Sequence, residues 1–273
     1  MLELIKTVIL GIVQGITEWL PISSTGHLIL LNQFLKLDCT EEFWSLFEVI
    51  IQLGSILAVV VLYFNKLNPF SPKKTSEEKK DTWQMWFKVI VGSIPVAIAG
   101  VLFNDVIPDQ PVIIAAALIV YGILFIIIEN RHKTPKTTSI KKLKYLKSFE
   151  IGLFQALSII PGTSRSGSTI MGAVILGTSR EIAAEYSFFL AIPAMIGASL
   201  LRIYKYISDF GLSFTGTEIS VLLIGTLVSF IVSVFAIKFL MDYIRKHDFK
   251  AFGYYRIILG VIIIAYFGIK TIL

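Results

Sequence analysis

Two short polar segments carry the residue types that could do chemistry. Gln14 and Glu18 stand four apart and lead into Pro21-Ile22-Ser23-Ser24-Thr25-Gly26-His27. Far along the chain, Pro161-Gly162-Thr163-Ser164-Arg165-Ser166-Gly167-Ser168-Thr169 gathers hydroxyls around one guanidinium. A carboxylate can take a proton or hold a cation, a hydroxyl can attack, and an imidazole can move protons. The guanidinium fork suits phosphate oxygens. On a helix Gln14 and Glu18 share one face. Pro21 ends that helix, and Ser23, Ser24 and Thr25 are natural caps for the next, with His27 in its first turn. Such a start aims unpaired backbone N–H groups and a positive dipole end at the hydroxyls, which makes an anion site. In the second segment Pro161-Gly162 breaks a helix, Ser164, Arg165 and Ser166 follow, and Thr169 stands one turn on.

Each residue alone has a blander role. Ser23 is a cap, His27 a packed and hydrogen-bonded ring, Glu18 a buried protonated acid, Arg165 a side chain snorkelling to a headgroup. The setting argues against all of these at once. Hydrophobic residues make up 55% of the chain and charged residues 16%, against about 25% charged in soluble domains. With a mean hydropathy of +0.77, this is the composition of an all-α polytopic membrane protein. Lipid solvates polar groups poorly, so both segments must face each other, water or a ligand. The net charge of +6 does not indicate nucleic acid, because the Lys and Arg cluster in short segments between apolar runs. Cys39 is the one cysteine, which excludes an intramolecular disulfide. Val8 to Ile16 resembles a signal h-region, but Glu3 precedes it and Glu18 follows without a cleavage site, so the expectation is a retained N-terminus.

Six stretches are expected to span the membrane: Phe43–Phe64, Met85–Asn104, Val112–Ile128, Glu185–Tyr204, Ile219–Leu240 and Tyr254–Ile269. Regions 1–37 and 149–180 are apolar but interrupted, and read as re-entrant hairpins or broken helices. Basic loops at 65–82 and 131–148, with Arg245, Lys246 and Lys250, are expected in the cytoplasm, and 105–111, with Asp105 and Asp109, outside. The order of elements repeats: a broken helix, then three spans. Gly11-x-x-Gln14 matches Gly152-x-x-Gln155, Glu48 matches Glu185, and Gly92-Ser93-Ile94-Pro95-Val96 resembles Gly225-Thr226-Leu227-Val228-Ser229. Three spans being odd, the second half enters upside down. The expectation is one integral-membrane domain, 1–273, with inverted repeat halves 1–133 and 145–273 joined by a basic cytoplasmic loop. The two broken helices then meet near the midplane. Glu48 and Gln52 form a weaker candidate pair, Glu185 reads as structural, and His132 and His247 as solvated.

At these residues the chain resembles the undecaprenyl-diphosphate phosphatase, or bacitracin-resistance protein, family of bacterial membranes. The resemblance runs through Gln14-Gly15-Ile16-Thr17-Glu18, Pro21 to His27, and Pro161 to Thr169, and covers essentially the whole chain. The first motif position is Gln14 where the family pattern has Glu or Gln, which throws a metal or acid/base role onto Glu18. The resemblance implies hydrolysis of undecaprenyl diphosphate to undecaprenyl phosphate and inorganic phosphate, recycling the carrier for cell-wall synthesis and conferring bacitracin resistance. It also implies a divalent cation, Mg²⁺ or Ca²⁺, a place in the bacterial cytoplasmic (inner) membrane, and a site open to the outer face. Prenyl diphosphates and the bilayer are then the partners, with a homodimer left open.

For this reaction Ser24 is the expected nucleophile, His27 the nearby acid/base, and Glu18 with Gln14 the group that orients His27 or binds the cation. Arg165, with Ser164, Ser166, Thr169, Ser23, Thr25 and the backbone at Gly162, is expected to bind the phosphate. His27 as nucleophile and water activated by Glu18 remain alternatives. The rival from another class is a transporter or flippase for prenyl phosphate, since inverted repeats with broken helices are a transporter architecture.

Overall fold

The computed structural model describes residues 1–103, 108, 110–131, 134–211 and 213–272. Asp105, Asp109 and His132 lie outside the described residues. The first half runs α1 (Leu2–Thr17), α2 (Ser24–Leu31), α3 (Glu41–Leu62), a single turn α4 (Phe64–Leu67), α5 (Ser76–Phe103) and α6 (Pro111–Asn130). The second runs α7 (Tyr145–Ala156), a 3₁₀ turn (Leu157–Ile159), α8 (Arg165–Ile175), α9 (Arg180–Phe210), α10 (Gly216–Lys246) and α11 (Lys250–Ile272). Among the described residues there is no strand, and six helices (α3, α5, α6, α9, α10, α11) are long and apolar enough to cross a membrane. The architecture is that of an all-α polytopic membrane protein.

The spans run longer than their apolar stretches. Thr40 caps α3 by accepting from the Phe43 N–H, so the helix starts at Glu41, two residues before the expected Phe43, and Thr215 with Glu218 forms a full capping box for α10. Helix-favouring Glu77, Glu78, Lys79 and Lys80 carry α5 back to Ser76, into what the sequence marks as the 65–82 loop. Likewise α7 begins at Tyr145 and α9 at Arg180. At about 1.5 Å per residue, the 16 residues of α1, 8 of α2, 12 of α7 and 11 of α8 each fall short of the roughly 30 Å hydrocarbon layer. Both interruptions are therefore true breaks.

The burial pattern is inverted relative to a soluble protein. Ile90, Ile94, Ile98 and Val101 on α5 and Leu223, Leu227 and Phe235 on α10 face outward, while Ser55, Ser229 and Ser233 are fully buried. The Ser55 and Ser229 hydroxyls meet at 2.7 Å, and Ser233 donates to the Gly15 carbonyl at 3.3 Å. Small and hydroxyl-bearing residues at helix contacts are what packing in lipid selects.

The halves exchange partners. Helix α1 packs on α10 and α7 on α5, while α3 packs on α9 and α6 on α11. A Cβ on Gly11 would stand 3.0 Å from the Gly225 carbonyl, and one on Gly152 would stand 2.2 Å from the Gly92 carbonyl. The glycines matched between halves thus make the same close contact twice, with the halves swapped. At Gly152 backbone would have to move. Gly152→Ala is expected to lower stability by about 2 kcal/mol in detergent unfolding, while Gly197→Ala, with nothing within 4 Å, leaves the transition in place.

Candidate active site

Each break ends in a serine that caps the following helix from an uncommon backbone. Ser23 (φ 73°) and Ser164 (φ 69°) are the two non-glycine residues with positive φ among the described residues. The Ser23 Oγ accepts from the Gly26 N–H at 3.4 Å, and the Ser164 Oγ accepts from the Gly167 N–H at 3.1 Å. Positive φ at a serine costs of order 1–3 kcal/mol and persists where its surroundings dictate it. Here two breaks press against each other.

A buried ion pair joins them. Arg165, on the first turn of α8, donates from Nη2 to Glu18 Oε1 at 3.0 Å, with side chains only 11% and 7% exposed. Its Nη1 donates to the Ser187 carbonyl on α9 at 3.0 Å, and the guanidinium lies 5.5 Å from the Trp19 ring. Its Nε–H is buried without a hydrogen bond. The fork is thus oriented, and one donor is uncommitted.

Glu18 Oε2 accepts from Gln14 Nε2 at 3.0 Å and from the Ser24 hydroxyl at 3.4 Å. The expected neighbour of Ser24 was His27, and the structure corrects that pairing. His27 Nδ1 lies 2.7 Å from the Ser23 carbonyl and Nε2 2.6 Å from the Tyr255 hydroxyl. A carbonyl only accepts, so Nδ1 carries the proton, and in the neutral ring Nε2 accepts from Tyr255. The group within hydrogen-bond reach of Ser24 is Glu18.

The remaining expected residues divide by exposure. Thr25 is exposed, and Ser24, His27 and Ser164 are half-buried. Ser23, Ser166 and Thr169 are buried and bonded within the protein. Ser166 donates to the Glu18 and Leu20 carbonyls at 3.1 and 3.3 Å, and Thr169 donates to the Arg165 carbonyl at 2.9 Å. Gly162 (φ +88°) is buried, and a Cβ there would stand 2.5 Å from the Ile114 carbonyl. Of the residues expected to bind phosphate, Ser166 and Thr169 thus spend their hydroxyls on carbonyls, and Ser23 caps α2.

Sequence reading missed Arg256 of α11 altogether. It is fully buried, donating to the Pro21 carbonyl at 3.2 Å from the first break and to the Gly162 and Thr163 carbonyls at 2.9 Å from the second. Nothing near it in sequence marks it beyond being a lone Arg inside an apolar span. That signal alone names an intramembrane cation without its partners.

A divalent cation can be tested against these donors. Among the described residues no group of three or more His, Cys, Asp or Glu side chains could form a cage. Near Ser24 stand one carboxylate, Glu18, and the buried Gln14 Oε1, which has no hydrogen-bond partner. That set fits a hard cation that takes most of its oxygens from phosphate and water.

The fold defines an integral-membrane protein in which two broken helices meet at a buried cluster of Glu18, Ser24 and Arg165. Its residues 7–262 match the family described as bacitracin resistance protein BacA, and the chain belongs to that family. It is 56% identical over 272 residues to the undecaprenyl-diphosphatase of Acetivibrio thermocellus, covering 98% of both chains. It is 57% identical over 268 residues to that of Latilactobacillus sakei, covering 96% of this chain and 97% of the other, and 54% identical over 266 residues to that of Enterococcus faecalis, covering 96% of both.

Proposed function

We propose that this chain is a membrane hydrolase that cleaves undecaprenyl diphosphate to undecaprenyl phosphate and inorganic phosphate. The reading rests on family membership together with one observation: the Ser24 hydroxyl hydrogen-bonded to a carboxylate that is itself paired with Arg165. The substrate's tail stays in lipid while its diphosphate enters the break. Arg165 presents its uncommitted Nε–H to the terminal phosphate, and as the fork turns to phosphate it loosens its hold on Glu18. Glu18 then takes the Ser24 proton. The Ser24 Oγ–P bond forms as the bond from phosphorus to the bridging oxygen breaks, and undecaprenyl phosphate leaves. Water attacks phospho-Ser24, returning the hydroxyl and releasing inorganic phosphate. A bound Mg²⁺ or Ca²⁺, held by Glu18 and Gln14 Oε1, would neutralise charge on the diphosphate. His27 and Tyr255 hold the rim of the site beside Ser23, and Thr25 stands at its mouth.

The membrane assignment goes with the reading. The protein sits in the bacterial cytoplasmic membrane with its basic loops inside. The cleft lined by Thr25, Asn32, Glu41 and Glu48 opens to the other, outer face. Residues 1–133 and 145–273 are the two halves of one inverted repeat, and recycling of the lipid carrier accounts for bacitracin resistance.

Purified protein in detergent, given a prenyl diphosphate with Mg²⁺ or Ca²⁺, is expected to release phosphate. Ser24→Ala is expected to lose at least about a thousandfold, and a rapid quench of wild type should trap phosphate on Ser24. Turnover with no phosphoserine at any time point would leave water activated by Glu18 in its place. No release at all would return the site to a carrier of prenyl phosphate.

A further inference from the structure

A cavity of about 650 Å³ lies away from the breaks, on the face carrying the basic loops. It is walled by the turn after α3, the start of α5, the segment at Ser139–Lys141 and the start of α9. Its cations outnumber its acids. Lys66 pairs with Glu185 at 2.7 Å and Lys141 with Asp81 at 2.9 Å, so those charges cancel. Lys73, Lys74 and Lys88 remain, against Glu78 alone.

Their bonding leaves charge uncompensated. Lys88 is 4% exposed, and its ammonium donates to the carbonyls of Ile140 and Lys141, each at 3.0 Å. Lys74 donates to the Lys66 and Asn68 carbonyls and to the Thr82 hydroxyl. Carbonyls and a hydroxyl satisfy hydrogen bonds but carry no counter-charge. Glu78 is held on the Thr75 backbone N–H at 2.7 Å. Burying the Lys88 ammonium without an anion bonded to it is costly, and the cavity beside it is large enough to admit one.

Exposed aromatics stand next to the cavity. Phe70, Trp83 and Phe87 beside it are 75%, 44% and 54% exposed, with Phe70 edge-on to Trp83 at 5.7 Å. Exposed Trp and aromatic clusters of this kind mark the membrane–water boundary. The repeat adds a parallel: Glu185 and Lys66 line this cavity, while Glu48 and Arg202 line the cleft near Thr25. Glu48 and Glu185 are matched between the halves, so each of the two polar cavities is lined by a carboxylate and a cation.

We propose that this cavity binds the phosphate headgroup of an anionic phospholipid, through Lys73, Lys74 and Lys88, from the leaflet on the basic-loop side. The lipid is held there and not turned over. The test is native mass spectrometry of the full chain in detergent, titrated with phosphatidylglycerol, phosphatidylcholine or inorganic phosphate. Phosphatidylglycerol is expected to be retained over phosphatidylcholine. At about 1 kcal/mol per lysine, the exposed Lys73→Gln lowers its retention about fivefold, and Lys73→Gln with Lys74→Gln lowers it about twenty-fivefold. Arg165→Ala leaves retention unchanged, which separates this site from the proposed active site whatever that site catalyses. Thermal unfolding of each variant verifies the fold. Equal retention of the two lipids, unchanged retention in folded Lys73→Gln and in the double variant, or displacement of phosphatidylglycerol by equimolar inorganic phosphate would overturn the proposal.

Discussion

Arg165→Ala is expected to lower kcat for phosphate release about a thousandfold, the scale set by an arginine that stabilises a transferring phosphoryl group. The guanidinium bridges Glu18 on the first break and the Ser187 carbonyl on α9, and keeps a third donor unbonded. Removing it takes away the phosphate's donor and leaves Glu18 buried without its cation. The variant thus loses the partner that orients Glu18 as well as the phosphate clamp. The two losses can be told apart. Arg165→Lys restores a charge near Glu18 but not the fork, so it should recover folding stability while recovering little of kcat. Steady-state phosphate release and thermal unfolding in the same detergent give both numbers. A folded Arg165→Ala protein with kcat within tenfold of wild type would remove Arg165 from the chemistry.

Arg256→Met should produce the largest loss of stability. Its guanidinium reaches both breaks from α11, through the carbonyls of Pro21, Gly162 and Thr163. A buried carbonyl left without a donor costs about 1–3 kcal/mol, so three together put the expected loss near 4 kcal/mol, and lipid offers no water to soften it. Activity should fall with stability, because the two breaks lose the register that brings Glu18 to Arg165. Unfolding followed by circular dichroism, beside activity below the transition, measures both. An Arg256→Met protein as stable as wild type would mean that the carbonyls find other donors.

Sequence order carried a good deal of this. Pro21 and Pro161-Gly162 placed the breaks, and the caps fell at Ser23 and Ser164, because helix ends are governed by local backbone chemistry. The matched glycines were legible in sequence only as a repeat, and it is the structure that packs Gly11 on Gly225 and Gly152 on Gly92. The long helices showed themselves by apolar length, although their ends did not, since charged helix formers such as Glu77 and Lys79 continue α5 past the lipid-soluble part.

By itself, then, the sequence determined the membrane class, the breaks and the residue types that stand there. Those follow from the cost of burying polar groups in lipid and from the fixed geometry of proline and helix caps. Only the tertiary structure decided which hydroxyls are spent on carbonyls, that Ser24 bonds Glu18 and not His27, and that Arg256 clasps both breaks. Those pairings join residues as far apart as 235 positions. Hydrogen-bond partners across such separations are chosen by packing, to which a local pattern in sequence is blind.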